Sequence, residues 1–202
     1  MPKRSLGFSI DNYARLRPVL WHLTHRDNVP LIRKSRLLLP AERLTHAVPD
    51  SPRRGQQFRQ YEAVLRDQDV LHESCVQFED GWTMKDLLSE LHRRVFFWSG
   101  YPDRPIRPGR RAVDRYRGSD SVIRVPFLDV VKNHLPYFSR CNSGATRMQG
   151  GKKVPRGSRT FVLAEDCYFR CSEVVEVTFI ESVRLPLTTE VARSIDGPWE
   201  PL

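Results

Sequence analysis

The chain has 202 residues, 33 Lys+Arg against 24 Asp+Glu, and hence a formal net charge of +9, with 40% of its residues hydrophobic and 28% charged. That length and balance fit one domain spanning residues 1–202 with a real core, and exclude wholesale disorder and fibrous architecture. No apolar run approaches the ~18 residues a membrane helix needs, and Lys3 and Arg4 have no apolar stretch behind them to make a signal peptide. The expectation is a cytoplasmic, reducing location, no membrane partner, and free thiols at Cys75, Cys141, Cys167 and Cys171.

In chain order, Asn12 to Arg17 reads as helix ended by Pro18, because the residue before a proline is pushed out of the α region. Val19 to Thr24 follows as a short buried strand, with His22 and Thr24 at its carboxyl end. Asp27 is the expected N-cap of a helix over NVPLIRKS, in whose first turn Pro30 is tolerated. Ala47 to Gln57 reads as a polar loop leading into a helical Phe58 to Leu65. Thr83 with Asp86 forms a capping-box pattern for MKDLLSELHRR, whose Met84, Leu87, Leu88 and Leu91 share one face. Val95 to Trp98 is a core strand, Gly100 to Gly109 a Pro/Arg/Gly-rich loop, and Val122 to Val125 and Val174 to Ile180 are further strands. Between the last two lies the glycine-rich stretch Asn142 to Ser158, without apolar periodicity and of a length that is functional or disordered in a compact domain. Strands interleaved with helices, without regular βαβ alternation, predict an α/β fold of the α+β kind: a small, split antiparallel sheet of about six strands with flanking helices.

Of the basic residues 27 are Arg and 6 are Lys. Guanidinium presents a planar fork of donors that suits phosphate, although a GC-rich coding sequence gives the same skew. Eight Arg stand between Arg93 and Arg117 against Asp103 and Asp114, a local balance of +6. Such a clustered field attracts polyanions, or else it is a solvated surface stretch. Cys167 and Cys171 have no second pair to complete a metal site, so no metal is expected. There is no G-x-S-x-G elbow, P-loop or G-x-G-x-x-G, which removes serine hydrolase, nucleotide kinase and Rossmann dehydrogenase.

What remains is the series WHLT at 21–24, LRDQ at 65–68, RVFFW at 94–98, NSGATR at 142–147, PRGSRTF at 155–161 and VVEVTFI at 174–180. Taken singly, His22 reads as a satisfied core histidine and Arg66 as an ion-pair partner of Asp67 or Asp69. Glu176, flanked by Val174, Val175, Val177 and Phe179, must face water, find partners or line a cavity. The series resembles an uncharacterised bacterial domain family that shares RDQ, RVFFW, NSGATR and PRGxxTF, from about Leu20 to Leu187. More remotely, WHLTHRDNVPLI and EVTFIESV resemble the first strand and the glutamate-bearing strand of DarT-type ADP-ribosyltransferases.

The remote resemblance implies a cytoplasmic, NAD-consuming transferase (a glycosyltransferase in bond terms) with an ADP-ribosyltransferase-like sheet, moving ADP-ribose to nucleic acid, DNA or RNA, as a toxin or defence effector with an antitoxin or immunity protein as partner. NAD+ is then substrate, cleaved at ribose C1 through an oxocarbenium-like transition state that electrostatics must stabilise. It assigns catalysis to Glu176 and Arg66, with Arg59 in the same window, and cofactor binding to His22 and Thr24, with Phe97 and Trp98 as an aromatic wall or else a core strand; the string Asn142 to Arg147 departs from DarT, and its Gly144 and the donors of Asn142, Ser143 and Arg147 suit a cofactor or substrate loop. Arg107, Arg110, Arg111 and Tyr116 would meet the nucleic acid. Two alternatives stay open. One is an RNA 2′-phosphotransferase-like enzyme using Arg140, Arg147 and Arg156; the other is an inactive nucleic-acid- or partner-binding module of the same fold.

Overall fold

The computed structural model describes residues 7–45, 50–54, 58–60, 63–148 and 150–202, and of 58–60 the backbone alone. Helix α1 (Ile10–Leu16) is capped by Ser9, whose hydroxyl accepts from Asn12 N–H, and stops before Pro18. Strand β1 (Val19–His25) leads through a 3-10 turn at Arg26–Asn28 into α2 (Val29–Ser35), so Asn28 rather than Asp27 takes the N-cap position. Strand β2 (Leu37–Leu38) follows. The helix expected over Phe58 to Leu65 is instead a hairpin of β3 (Phe58–Gln60) and β4 (Ala63–Leu65). Ala63, Val64 and Leu65 are all buried, and that burial overrides the helical reading of so short a segment. Of the loop expected over Ala47 to Gln57, residues 47–49 and 55–57 lie outside the described residues.

Strand β5 (Val76–Phe78) precedes α3 (Met84–His92), where the Thr83–Asp86 capping box is formed and Met84, Leu87, Leu88 and Leu91 are buried. Strand β6 (Arg94–Gly100) is followed by α4 (Arg107–Arg115), so the expected loop from Gly100 to Gly109 ends at Ile106. Pro108 stands in the first turn of α4, where its missing N–H has no partner to lose. The remaining elements are β7 (Asp120–Pro126), α5 (Phe127–Val131), β8 (Tyr137–Ser139), β9 (Val154–Arg156), β10 (Glu176–Ile180), β11 (Val183–Arg184), β12 (Glu190–Ala192) and β13 (Glu200–Pro201). Strand β9 lies inside the stretch Asn142 to Ser158 that reads as irregular, and pairs in parallel with β5.

Seven strands form one antiparallel sheet in the order β13-β12-β7-β1-β6-β10-β8, one more than the sequence suggests because the short β12 and β13 extend it past β7. The fold is α+β. One face of the sheet carries the main core, in which Leu20, Phe97, Ile123, Phe138, Val177 and Phe179 meet Tyr13 of α1 and Phe127 of α5. The opposite face is divided. On one side α3 packs Leu71, Leu87, Leu88 and Leu91 with Phe161, and on the other Trp21, Leu23 and Val122 meet Ala112 and Val113 of α4. Full burial of each large apolar side chain contributes roughly 1.5 to 3 kcal/mol. Between the two clusters Phe96 and Trp98 of β6 are only partly covered.

Helix α4 lies close against β6 because Gly109 has no side chain: a Cβ there would meet Pro105 Cβ at 2.9 Å and Trp98 Cγ at 3.0 Å. Gly100 does the same for Trp21, whose indole Nε1 would overlap an added Cβ. Among the described residues no helix is long and apolar enough to cross a membrane.

Candidate functional site

Strand β1 pairs with β7 at all seven of its residues but with β6 only at Val19, Leu20 and Trp21. Beyond Trp21 and Trp98 the ladder stops, and side chains take its place. The Phe96 carbonyl, a pure acceptor, meets His22 Nδ1 at 2.8 Å, so Nδ1 carries the proton and Nε2 presents a lone pair. Burial, joined by the charge of Arg66, pushes the imidazole down to about 4 and keeps it neutral. Its ring centroid lies 5.5 Å from that of Phe97, itself buried in the main core.

Arg66 reaches the same stretch of β1. Its Nε donates to Leu23 O at 3.3 Å, its Nη2 is ion-paired with Asp120 at the start of β7, and its guanidinium lies 4.4 Å from the centre of the Tyr116 ring. Burial draws Arg66 down to about 10, leaving it charged at neutral pH. Tyr116 donates its hydroxyl to Asp67 at 2.9 Å, so this ring is a platform for Arg66. Thr24 is buried and accepts from Asn28 Nδ2 at 3.1 Å. Asn28 in turn grips Val64 N and O, tying the end of β1 to β4. The Arg59 side chain lies outside the described residues.

Glu176 forms the centre of a second cluster. It is 4% exposed, so it does not face water from a sheet edge, and its Oε2 accepts from Ser143 N–H at 3.0 Å and Ser143 Oγ–H at 2.6 Å. Burial raises the carboxyl to about 7, against the opposing pull of the Ser143 bonds and the Arg156 charge. Oε1 makes no hydrogen bond among the described residues, which leaves one oxygen for a ligand. Ser143 is held by the buried Arg156, whose Nε donates to Ser143 O at 3.3 Å and whose Nη2 donates to Asn142 O and Ala145 O at 2.9 and 3.1 Å. Asn142 therefore serves through its backbone carbonyl, while Arg147 is exposed without a hydrogen bond or ion pair among the described residues.

Register fixes how the clusters relate. Trp21 faces Trp98, Trp98 faces Glu176, and directly opposed residues share a sheet face. His22 and Thr24 alternate with Trp21 and fall on the other face. Two strand spacings separate β1 from β10, about 10 Å. Trp98 stands between, partly exposed, with a buried indole Nε1 that has no partner. The sequence-derived candidates thus gather as His22 with Arg66 and Tyr116, and Glu176 with Ser143 and Asn142, on either side of Trp98. Sequence reasoning missed Asn28, Asp120 and the locking role of Arg156. Only Arg156 carried a signal, through its place in the shared PRG string.

Arg107, Arg110 and Arg111 lie apart from both clusters, on α4 beyond Trp98. The chain belongs to a family of unknown function, DUF7002, whose model matches residues 18–188. No curated protein matches the chain.

Proposed function

We propose that the chain is an ADP-ribosyltransferase that consumes NAD+ and transfers ADP-ribose to nucleic acid. The observation that carries this reading is the interrupted β1–β6 ladder, with His22 and Arg66 at the gap and the buried, Ser143-held Glu176 two strands away. In the reaction the bond between ribose C1 and the nicotinamide nitrogen breaks, its electron pair leaves with nicotinamide, and an acceptor lone pair closes on C1.

Glu176 takes the acceptor's proton, a task suited to a carboxyl raised to about 7. Its ionised form opposes the positive charge that develops on the ribose. His22 Nε2 accepts from a ribose hydroxyl or the carboxamide. Arg66, already oriented by Asp120 and Tyr116, sets a positive charge beside the cofactor phosphates. His22 and Glu176 leave opposite faces of the sheet, and Glu176 is level with Trp98 at the closed end of the gap, so a ligand that meets both has to pass through the gap beside Trp98.

The placement on two faces is also what a module that has lost the chemistry would retain. Phosphate transfer from RNA draws less support, since Arg156 is committed to backbone carbonyls and Arg140 lies 3.5 Å from Glu173. The test is to titrate NAD+ against the thermal midpoint and assay nicotinamide release. Stabilisation of roughly 2.7 kcal/mol is expected at ~100 times the dissociation constant, with release lost on Glu176→Gln. No shift and no release in the wild type overturn the enzyme reading.

A further inference from the structure

A cavity of about 660 Å³ opens at the far end of β6 from the gap, walled by Arg17, Tyr101, Arg104, Arg107, Arg110, Arg111 and Asp114. Five guanidinium groups face one carboxylate. Asp114 is engaged by Arg117 at 3.2 Å and Arg104 lies 3.6 Å from Asp103, whereas Arg17, Arg107, Arg110 and Arg111 have no acidic partner among the described residues.

Arg17 is the unusual member. It is only 9% exposed, and its Nε and Nη1 are buried with no hydrogen-bond partner. A buried guanidinium without partners is costly, and an anion against Nη2, the edge that is not enclosed, offsets that cost. Two features hold it in place. Its backbone closes α1, with Arg17 N–H donating to Tyr13 O at 2.8 Å, and its guanidinium lies 4.4 Å from the centre of the Tyr101 ring. Helix α4 opens at the same cavity without a side-chain cap, and its first-turn amides add to the positive end of its dipole.

We propose that this cavity docks the phosphates of a single-stranded nucleic acid, with the buried Arg17 as anchor and Arg107, Arg110 and Arg111 as its exposed rim. The forked donors match phosphate oxygens in a way that lysines would not. The site is open to solvent along α4, so a flexible single strand can lay successive phosphates against its arginines while the bases turn to the Tyr101 ring. The cavity and the gap lie along the same strand, β6, with Gly109 of α4 packed on Trp98 between them. As the acceptor's docking place it rests on the transferase reading; as a phosphate site it stands on its own geometry.

The experiment measures binding of a labelled single-stranded DNA and its RNA counterpart by anisotropy across a salt series, for the wild type, Arg17→Gln and Arg110→Gln/Arg111→Gln. Arg17→Gln is expected to weaken binding at least about tenfold, the effect of one lost charged hydrogen bond. The rim variant should flatten the log–log salt slope by ~0.7 for each phosphate it no longer neutralises. If Arg17→Gln is misfolded by circular dichroism, the exposed rim pair decides. Equal binding by the folded variants, no binding by the wild type, or binding of pyrophosphate alone overturns the proposal. An NAD+ melting shift on the same wild-type preparation keeps the two readings apart: strand binding with no NAD+ shift defeats the transferase, and an NAD+ shift with no strand binding defeats the cavity.

Discussion

Glu176 stands directly across the β6–β10 ladder from Trp98, so a carboxyl raised to about 7 and an indole with an unpartnered N–H share one sheet face. Neither group is needed there for packing alone, since an apolar pair would fill the position without desolvating a carboxyl. Ser143 and Arg156 supply what makes the burial tolerable, two donors to Oε2 and a nearby positive charge.

Replacing Glu176 by Gln keeps the shape and an oxygen for the Ser143 donors, and removes the charge. Nicotinamide release is expected to fall roughly a hundredfold to a thousandfold, the usual loss for one electrostatic group, with the circular dichroism unchanged. Wild-type turnover by the Gln variant would remove Glu176 from the chemistry and leave it as the clasp of the 142–147 loop.

Stability should depend on pH through groups of opposite sign. His22 and His92 are lowered from 6.5 to about 4 chiefly by burial, so the stability they contribute is present above about pH 6.5 and lost as pH falls through about 4. Glu176 is raised from 4.5 to about 7, so its contribution is present below about pH 4.5 and lost as pH rises through about 7. The midpoint of Glu176→Gln minus that of the wild type should therefore grow more positive between about pH 5 and pH 8. A difference independent of pH, measured by scanning calorimetry, would place the Glu176 carboxyl at its ordinary value.

Gly109 offers a structural test of how α4 meets the sheet. Gly109→Ala drives a methyl into Pro105 and Trp98, and overpacking of this kind costs about 1 to 3 kcal/mol. In a chain of this size that lowers the midpoint by several degrees, and Trp98 fluorescence should shift as α4 lifts. An unchanged midpoint and emission would show that α4 yields without strain.

How much of this was legible beforehand varies with the range of the physics involved. The α3 capping box and the α1 stop at Pro18 are set by residues within a turn of one another, and the sequence shows them directly. The hairpin at Phe58–Leu65 and the start of α4 at Arg107 depend on what the segments pack against, and short-range pattern misreads both. Glu176 stood out as a carboxylate in an apolar strand, and Ser143 through its motif, yet nothing local says that the two bond. The division of His22 and Glu176 between faces follows from register across three strands, which no spacing in the chain encodes. Arg17 gave no warning, because its isolation is a property of the cavity around it.

Ser143→Ala tests the link between the 142–147 loop and the carboxyl. The substitution deletes the 2.6 Å hydroxyl donor and keeps the 3.0 Å backbone donor. Hydrogen bonds to an ionised group favour its charged form, so losing one moves the Glu176 carboxyl further up. A charged hydrogen bond of about 1.5 to 3 kcal/mol corresponds to roughly one to two pH units. The acid limb of the nicotinamide-release profile should move to higher pH by that amount, and turnover at alkaline pH should recover toward the wild type. A carbon-13 titration of the labelled glutamate carboxyls reads the same shift without turnover. If Ser143→Ala leaves the Glu176 titration where it was, the backbone N–H alone holds the carboxylate, and the Ser143 hydroxyl has no part in setting its charge.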